Sequence, residues 1–379
     1  MADTAGRSRI LVVFGTRPEA IKMFPVVQAL RATDRFDVRV VVTAQHREML
    51  DQVLAIAGVT PDIDLNLMAP GQSLDSLSAQ VLTKFTETLD SERPHRVIVH
   101  GDTLTTMMVT IACYYQRVPV AHVEAGLRSG YIYAPWPEEG HRKVVTALAD
   151  MHFAPTNAAA EALRAENVPS QAIHVVGNTV IDALLATRAR LQQEPGLCSQ
   201  ISPILKRFRG QRLIAVTAHR RESFGDGMRE IAEAVKDLAT RDDVAIVFPL
   251  HPNPEVSGTM RAMLDGQANV ALIQPLDYPN FIAMMEASDA LLTDSGGVQE
   301  EAPSLGKPVL VMRDITERPE GIAAGTAKLV GTDRQRIVAE ATRLLDDPEA
   351  YRAMATAHNP YGDGTASEKI AEIMAAALS

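Results

Sequence analysis

The stretch "ILVVFGTRPEAIK", residues 10–22, sets the fold class before any other part of the chain is read. Ile10 to Phe14 are apolar without alternation, which suits a strand buried on both faces. Gly15 ends the run. Thr16 and Glu19 then stand at capping-box spacing and Pro18 fits a first helical turn, so a helix begins here. Strand, glycine turn and capped helix open a βαβ unit. Gly15 also permits close backbone approach, a helix start favours anions, and Arg17 adds a charge-assisted donor with Lys22 further along. A well-capped helix carrying solvated cations explains Thr16, Pro18 and Glu19 equally well, so Arg17 stays open between the two readings. The spacing is not the G-x-G-x-x-G of dinucleotide sites, and no nicotinamide cofactor is expected.

The same rhythm recurs along the chain. Apolar runs follow at 38–43, 97–101, 118–123, 151–156 and 173–178, and again at 213–218, 244–250, 270–275, 290–294, 308–312 and 327–331. Helix-like segments lie between them; Met228, Ile231, Ala232, Val235, Leu238 and Ala239 keep the spacing of one helical face. Alternating strand and helix predicts parallel sheets flanked by helices. The rhythm breaks once, over the polar stretch 187–211 with its Pro and Gly. The expected organisation is therefore two Rossmann-like domains facing across a cleft, residues 1–186 and 212–379, joined by 187–211. The last helix, about 365–379, is free to pack on either domain.

Composition narrows the function. A chain of 379 residues with 46% hydrophobic content has enough apolar material for two cores. A formal net charge of −10 argues against a nucleic acid or an acidic membrane as partner. The two cysteines, Cys113 and Cys198, form no C-x-x-C pair, which fits a reducing compartment and no cysteine-based metal site. The apolar run near the N-terminus is too short for a signal peptide, and no stretch reaches the roughly 20 apolar residues of a membrane span. A soluble cytoplasmic protein is the expectation.

Open α/β sheets bind ligands beyond the carboxyl ends of their strands. The polar clusters fall there: "FGTRPE", "TAQH", "HGDT", "HVEAGLR", "TAHRRES", "PLHPNP" and "TDSGG". Gly296 and Gly297 would let backbone N–H groups face a phosphate at a helix start, although two adjacent glycines alone read as a tight turn. Ser295 suits a helix cap or a ligand contact, and Glu301 a ribose contact or a favourable acid near a helix start. His219, beside Arg220 and Arg221, reads first as a structural hydrogen-bonder. His46, His100, His122 and His251 sit at other strand ends without ligand spacing, so no catalytic metal is expected. Asp102 suits a helix N-cap and Glu138 with Glu139 first-turn acids. Glu124 is harder to dismiss, since it directly follows an apolar strand. Carboxylates gathered in a partly dry site repel one another, and one of them then holds a proton near neutral pH, as a general acid/base pair requires.

These motifs, in this order, resemble the non-hydrolysing UDP-N-acetylglucosamine 2-epimerases of bacteria. The likeness runs from "FGTRPEAIKMFPVV" through "GDT", "HVEAGLRS", "PWPEE", "VGNT", "AHRRESFG" and "LHPNP" to "DSGGVQEEAPSLGKPVLVMRDITERPEG" and covers nearly the whole chain. The resemblance implies a glycosyltransferase-B type of fold, usually a homodimer, that interconverts UDP-GlcNAc and UDP-ManNAc with no cofactor. It implies Asp102, Glu124 and Glu138 as catalytic acids and His219 as the active-site histidine. It implies Arg17, Lys22, Ser295, Gly296, Gly297 and Glu301 as residues that hold the substrate. Some relatives bind a second UDP-GlcNAc as an activator, and Gln45, His46 and Gln72 match part of that site; Gly71 stands where some carry Arg. A hydrolysing epimerase that releases UDP and ManNAc, a glycosyltransferase and a non-catalytic nucleotide-sugar sensor are the rival readings.

Overall fold

The computed structural model describes residues 6–43, 53–54, 56–67 and 71–378. The chain divides into two compact units, Met1–Ala183 with Tyr361–Ser379, and Leu184–Pro360. All strand pairs within the two sheets are parallel.

The first unit is built on β1 (Ser8–Phe14), β2 (Phe36–Val42), β3 (Ile63–Asp64), β4 (Arg96–His100), β5 (Val120–Val123), β6 (Met151–Ala154) and β7 (Ile173–Val175). They lie in the order β3-β2-β1-β4-β5-β6-β7, so the chain reverses direction across the sheet between β1 and β4. The expected strands are present, and β3 is added; two residues are too few to show a pattern in sequence. Ile10, Leu11, Val12 and Phe14 are fully buried, as an uninterrupted apolar run between two helical layers demands. The Arg17–Ala32 helix begins with the predicted capping box: Glu19 N–H donates to Thr16 Oγ1, and Thr16 N–H donates to Glu19 Oε2 over 2.8 Å. The Ala366–Ala377 helix packs against it, so the end of the chain belongs to this unit.

The second unit carries β8 (Arg212–Thr217), β9 (Val244–Pro249), β10 (Val270–Ile273), β11 (Ala290–Thr293), β12 (Val309–Val311) and β13 (Ala327–Leu329). Their order, β10-β9-β8-β11-β12-β13, places the reversal between β8 and β11. The Asp226–Leu238 helix buries Met228, Ile231, Ala232, Val235 and Leu238, the face its spacing predicts. Residues 187–211, expected as a connection, lie inside this unit. They hold the end of the Thr179–Gln193 helix and the Ser202–Arg207 helix. Ile201 and Phe208 are buried there, and Asn280 Oδ1 accepts from Ile201 N–H over 3.0 Å. Polar composition hid these two apolar anchors. The chain passes between units at 183/184 and at 360/361 instead.

Among the described residues no helix is long and apolar enough to cross a membrane.

Candidate functional site

Doubly wound sheets open a ligand crevice where strand order reverses. In the first unit that point lies beyond β1 and β4, and one buried side chain ties its two loops together. Glu19 Oε2 accepts from Gly15 N–H at 3.0 Å and from Thr16, while Oε1 accepts from Thr103 Oγ1 at 2.8 Å. The residue read in sequence as a helix cap is therefore also a buried bridge. Gly15 is explained by packing: a Cβ there would sit 2.3 Å from Thr43 Oγ1 and 2.8 Å from Thr105 Oγ1, which bond each other at 2.9 Å. Arg17 is the first residue of the helix.

Glu124 follows β5 with φ +61°, a left-handed conformation that non-glycine residues rarely adopt. Lys22, on the second turn of the Arg17–Ala32 helix, pairs with Glu124 Oε2. His100 Nε2, at the end of β4, lies 3.3 Å from the same oxygen. Burial pushes the Glu124 carboxyl up, but Lys22 and His100 outweigh it and hold the group well below the usual carboxylate range. Glu124 is thus an anion at rest.

Asp102 sits one strand away, since His100 pairs with Val123 across β4 and β5. It does not cap the Leu104–Gln116 helix; Thr103 does. Its Oδ2 instead accepts from Arg142 Nε at 2.9 Å and Nη2 at 2.6 Å. Arg142 Nη1 reaches Glu139 Oε2 at 2.9 Å, and Ser129 N–H donates to that oxygen at 3.2 Å. Burial raises Glu139, and the Ser129 N–H and Arg142 more than reverse this, leaving it below its ordinary range. Behind the loop, His122 Nε2 donates to the Gly101 carbonyl at 2.7 Å, and burial drives this histidine down to about 3, so it stays neutral. Glu138, the first residue of the Glu138–Leu148 helix, makes no side-chain hydrogen bond or ion pair among the described residues, and its Oε2 is shielded from water.

In the second unit the reversal point holds His219 and Asp294. Asp294, fully buried just after β11, accepts from the backbone N–H groups of His219 at 2.6 Å and Arg220 at 2.7 Å. His219 Nδ1 lies 2.9 Å from Asp294 Oδ1, so the imidazole is held by its Nδ1 edge. Burial raises Asp294, but His219 and the two N–H groups lower it further, and it stays ionised. The His219 ring stacks on His251 with centroids 5.7 Å apart.

Ser295 stands at the N-cap of the Gly296–Glu301 helix, yet its side chain makes no capping bond. Gly296 and Gly297 are its first two residues. A Cβ on Gly296 would lie 3.3 Å from Glu317 Oε1 and 3.7 Å from Arg318 Cζ, so this helix start faces a charged wall. Arg313 bonds Glu222 and Glu317, Arg220 bonds Glu317 at 3.0 Å, and Arg318 bonds Glu300. Glu301 Oε1 accepts from the Tyr278 hydroxyl at 2.6 Å. Gln72 lies just before the Leu74–Glu92 helix; Gln45 and His46 lie outside the described residues.

The structure therefore joins Lys22 to Glu124 and places His219 on an aspartate that sequence reading did not single out. Asp294 carried the signal that exposed Glu124, an acid directly after a buried strand, and Arg142 carried none.

Two doubly wound parallel sheets, each with polar side chains gathered at its strand-order reversal, define a two-unit α/β protein of the ligand-binding, Rossmann-like class. The UDP-N-acetylglucosamine 2-epimerase family model matches residues 28–375. A probable UDP-N-acetylglucosamine 2-epimerase of Ralstonia nicotianae is 54% identical over 364 residues, covering 96% of this chain and 97% of its own. The UDP-N-acetylglucosamine 2-epimerase of Escherichia coli K12 is 51% identical over 370 residues, covering 97% and 98%. The crystal structure of the Neisseria meningitidis UDP-GlcNAc 2-epimerase bound to UDP-GlcNAc superposes with a TM-score of 0.89 at 45% identity, covering 97% of this chain and 100% of that one. This chain belongs to the UDP-N-acetylglucosamine 2-epimerase family.

Proposed function

We propose that the protein interconverts UDP-GlcNAc and UDP-ManNAc without net hydrolysis, by elimination and re-addition of UDP. The C2 hydrogen of the substrate is not acidic, so simple deprotonation would be slow. Loss of that proton together with the C1–O bond to UDP gives 2-acetamidoglucal and UDP. Protonation of C2 on the opposite face, with UDP returned to C1, gives the epimer, so atoms and charge balance over the cycle. The observation that carries this reading is the pair of cation-bound carboxylates at adjacent strand ends, Glu124 on Lys22 and Asp102 on Arg142. Such groups take and return protons, each transfer contributing on the order of 10²–10⁴ in rate. Glu138, whose Oε2 is buried without a hydrogen-bond partner among the described residues, is the third acid of this reading. Arg17, His219 and the helix start at Gly296 suit the departing diphosphate, and Ser295, Gly297 and Glu301 the rest of UDP.

A cytoplasmic homodimer belongs to the same reading; both cysteines are free thiols, and sedimentation would report the assembly.

Purified protein given UDP-GlcNAc alone in D₂O tests the mechanism by NMR. The expected result is a mixture of both UDP-sugars with deuterium at C2. Free ManNAc with UDP as the only products would make the enzyme a hydrolysing epimerase, and product that keeps its original hydrogen would replace solvent exchange by internal transfer.

A further inference from the structure

His100 closes a strand whose residues are all buried, β4, and its own side chain is 5% exposed. A buried imidazole has lost water at both nitrogens and needs partners for them. His122, on the next strand, has one in the Gly101 carbonyl. His100 has no well-aligned hydrogen bond at either nitrogen; Glu124 Oε2 lies 3.3 Å from Nε2. An aliphatic residue would fill this core position without that cost.

The geometry at Glu124 gives the histidine a use. Both of the carboxylate's partners, Lys22 and His100, meet Oε2. Oε1 takes no hydrogen bond from a described residue. The backbone at Glu124 is left-handed, so ordinary strand geometry does not orient the side chain. Lysine is a flexible point charge and does not set the plane of a carboxylate. An imidazole anchored in a buried strand does. The contact is long and off-axis, as catalytic hydrogen bonds often are before substrate arrives.

We propose that His100 is a positioning residue that donates through Nε2 to Glu124, so that Oε2 is clamped and Oε1 is presented for proton transfer at the substrate's C2. The inference rests on the epimerase reading above. Lys22 from the first helix and His100 from β4 are the titratable groups that face Glu124 in it.

His100→Leu removes the donor and His100→Gln returns one at the same reach. The leucine variant is expected to lose on the order of 10²-fold in kcat, the scale of a misplaced catalytic group, with KM little changed. The acidic limb of its kcat profile moves to higher pH, because Glu124 loses one of two groups that favour its charge. The glutamine variant recovers most of the lost turnover. A leucine variant with parental kcat and pH profile overturns the proposal. A second readout needs neither variant to fold: ¹H–¹⁵N correlation of the imidazoles in the parent protein. A proton on His100 Nε2 is expected, and a ring protonated at Nδ1 alone overturns the proposal. If the parent makes no UDP-ManNAc, the epimerase reading fails, while the tautomer still decides whether His100 clamps Glu124.

Discussion

The two units treat charge in opposite ways. Beyond β4 and β5 of the first, acids are held on cations: Glu124 on Lys22, and Asp102 with Glu139 on Arg142. Beyond β8 and β11 of the second, a single buried aspartate organises a histidine and two backbone N–H groups beside the arginines 220, 313 and 318. On the proposed reading the first arrangement uses cations to control acids, and the second uses acids to control cations. The contrast teaches that local charge, more than the net charge of the chain, tells which half of the chemistry a site serves.

The hardest test of the contrast is Glu124→Gln. It removes a proton acceptor but keeps the shape, so turnover should fall on the order of 10²–10⁴-fold while calorimetry still finds UDP bound. A rate within tenfold of the parent would strip the first unit of its role. Next in size is Asp294→Asn. The amide keeps one acceptor oxygen but loses the charge that faces His219 and the N–H of Arg220. Hydrogen bonds to charged groups are worth about 1.5–3 kcal/mol, so the UDP dissociation constant should rise roughly 10- to 100-fold with a smaller change in saturated turnover. The reverse split, turnover lost and affinity kept, would move proton chemistry into the second unit.

The smallest effect belongs to a carboxylate that the proposed chemistry does not use. Glu166 takes Arg128 Nε and Nη2 at 2.8 Å each, and with Lys143 beside it the carboxyl is held at about 2. A folded value below the unfolded one adds stability above the unfolded value of about 4.3, and that stability is lost as pH falls through the folded value. Glu166→Gln should therefore cost about 1–2 kcal/mol in urea unfolding at neutral pH. The gap from the parent should shrink below about pH 4 and close near pH 2. An equal cost at every pH would assign the loss to packing instead.

Much of this was legible in the letters. Every apolar run singled out in sequence is a strand, and the capping box at Thr16 is where its spacing puts it. Of the three acids implied by the family likeness, Asp102 and Glu124 follow strand ends and Glu138 opens a helix, and the local alternative for Asp102 fails because Thr103 does the capping. Asp294 was passed over inside a quoted motif, and the apolar anchors Ile201 and Phe208 were lost in a polar stretch.

What the sequence alone determined is local: strand runs, helix starts and the side of each sheet where polar residues collect. These follow from periods of a few residues and from backbone groups that need nearby partners. The tertiary structure decided which charges meet. Lys22 finds Glu124 across 102 positions because β4 separates β1 from β5, and Arg142 finds Asp102 across 40 because its helix packs beside the β4 loop. An ion pair needs atoms within a few ångströms, and only strand order brings residues so distant in the chain that close.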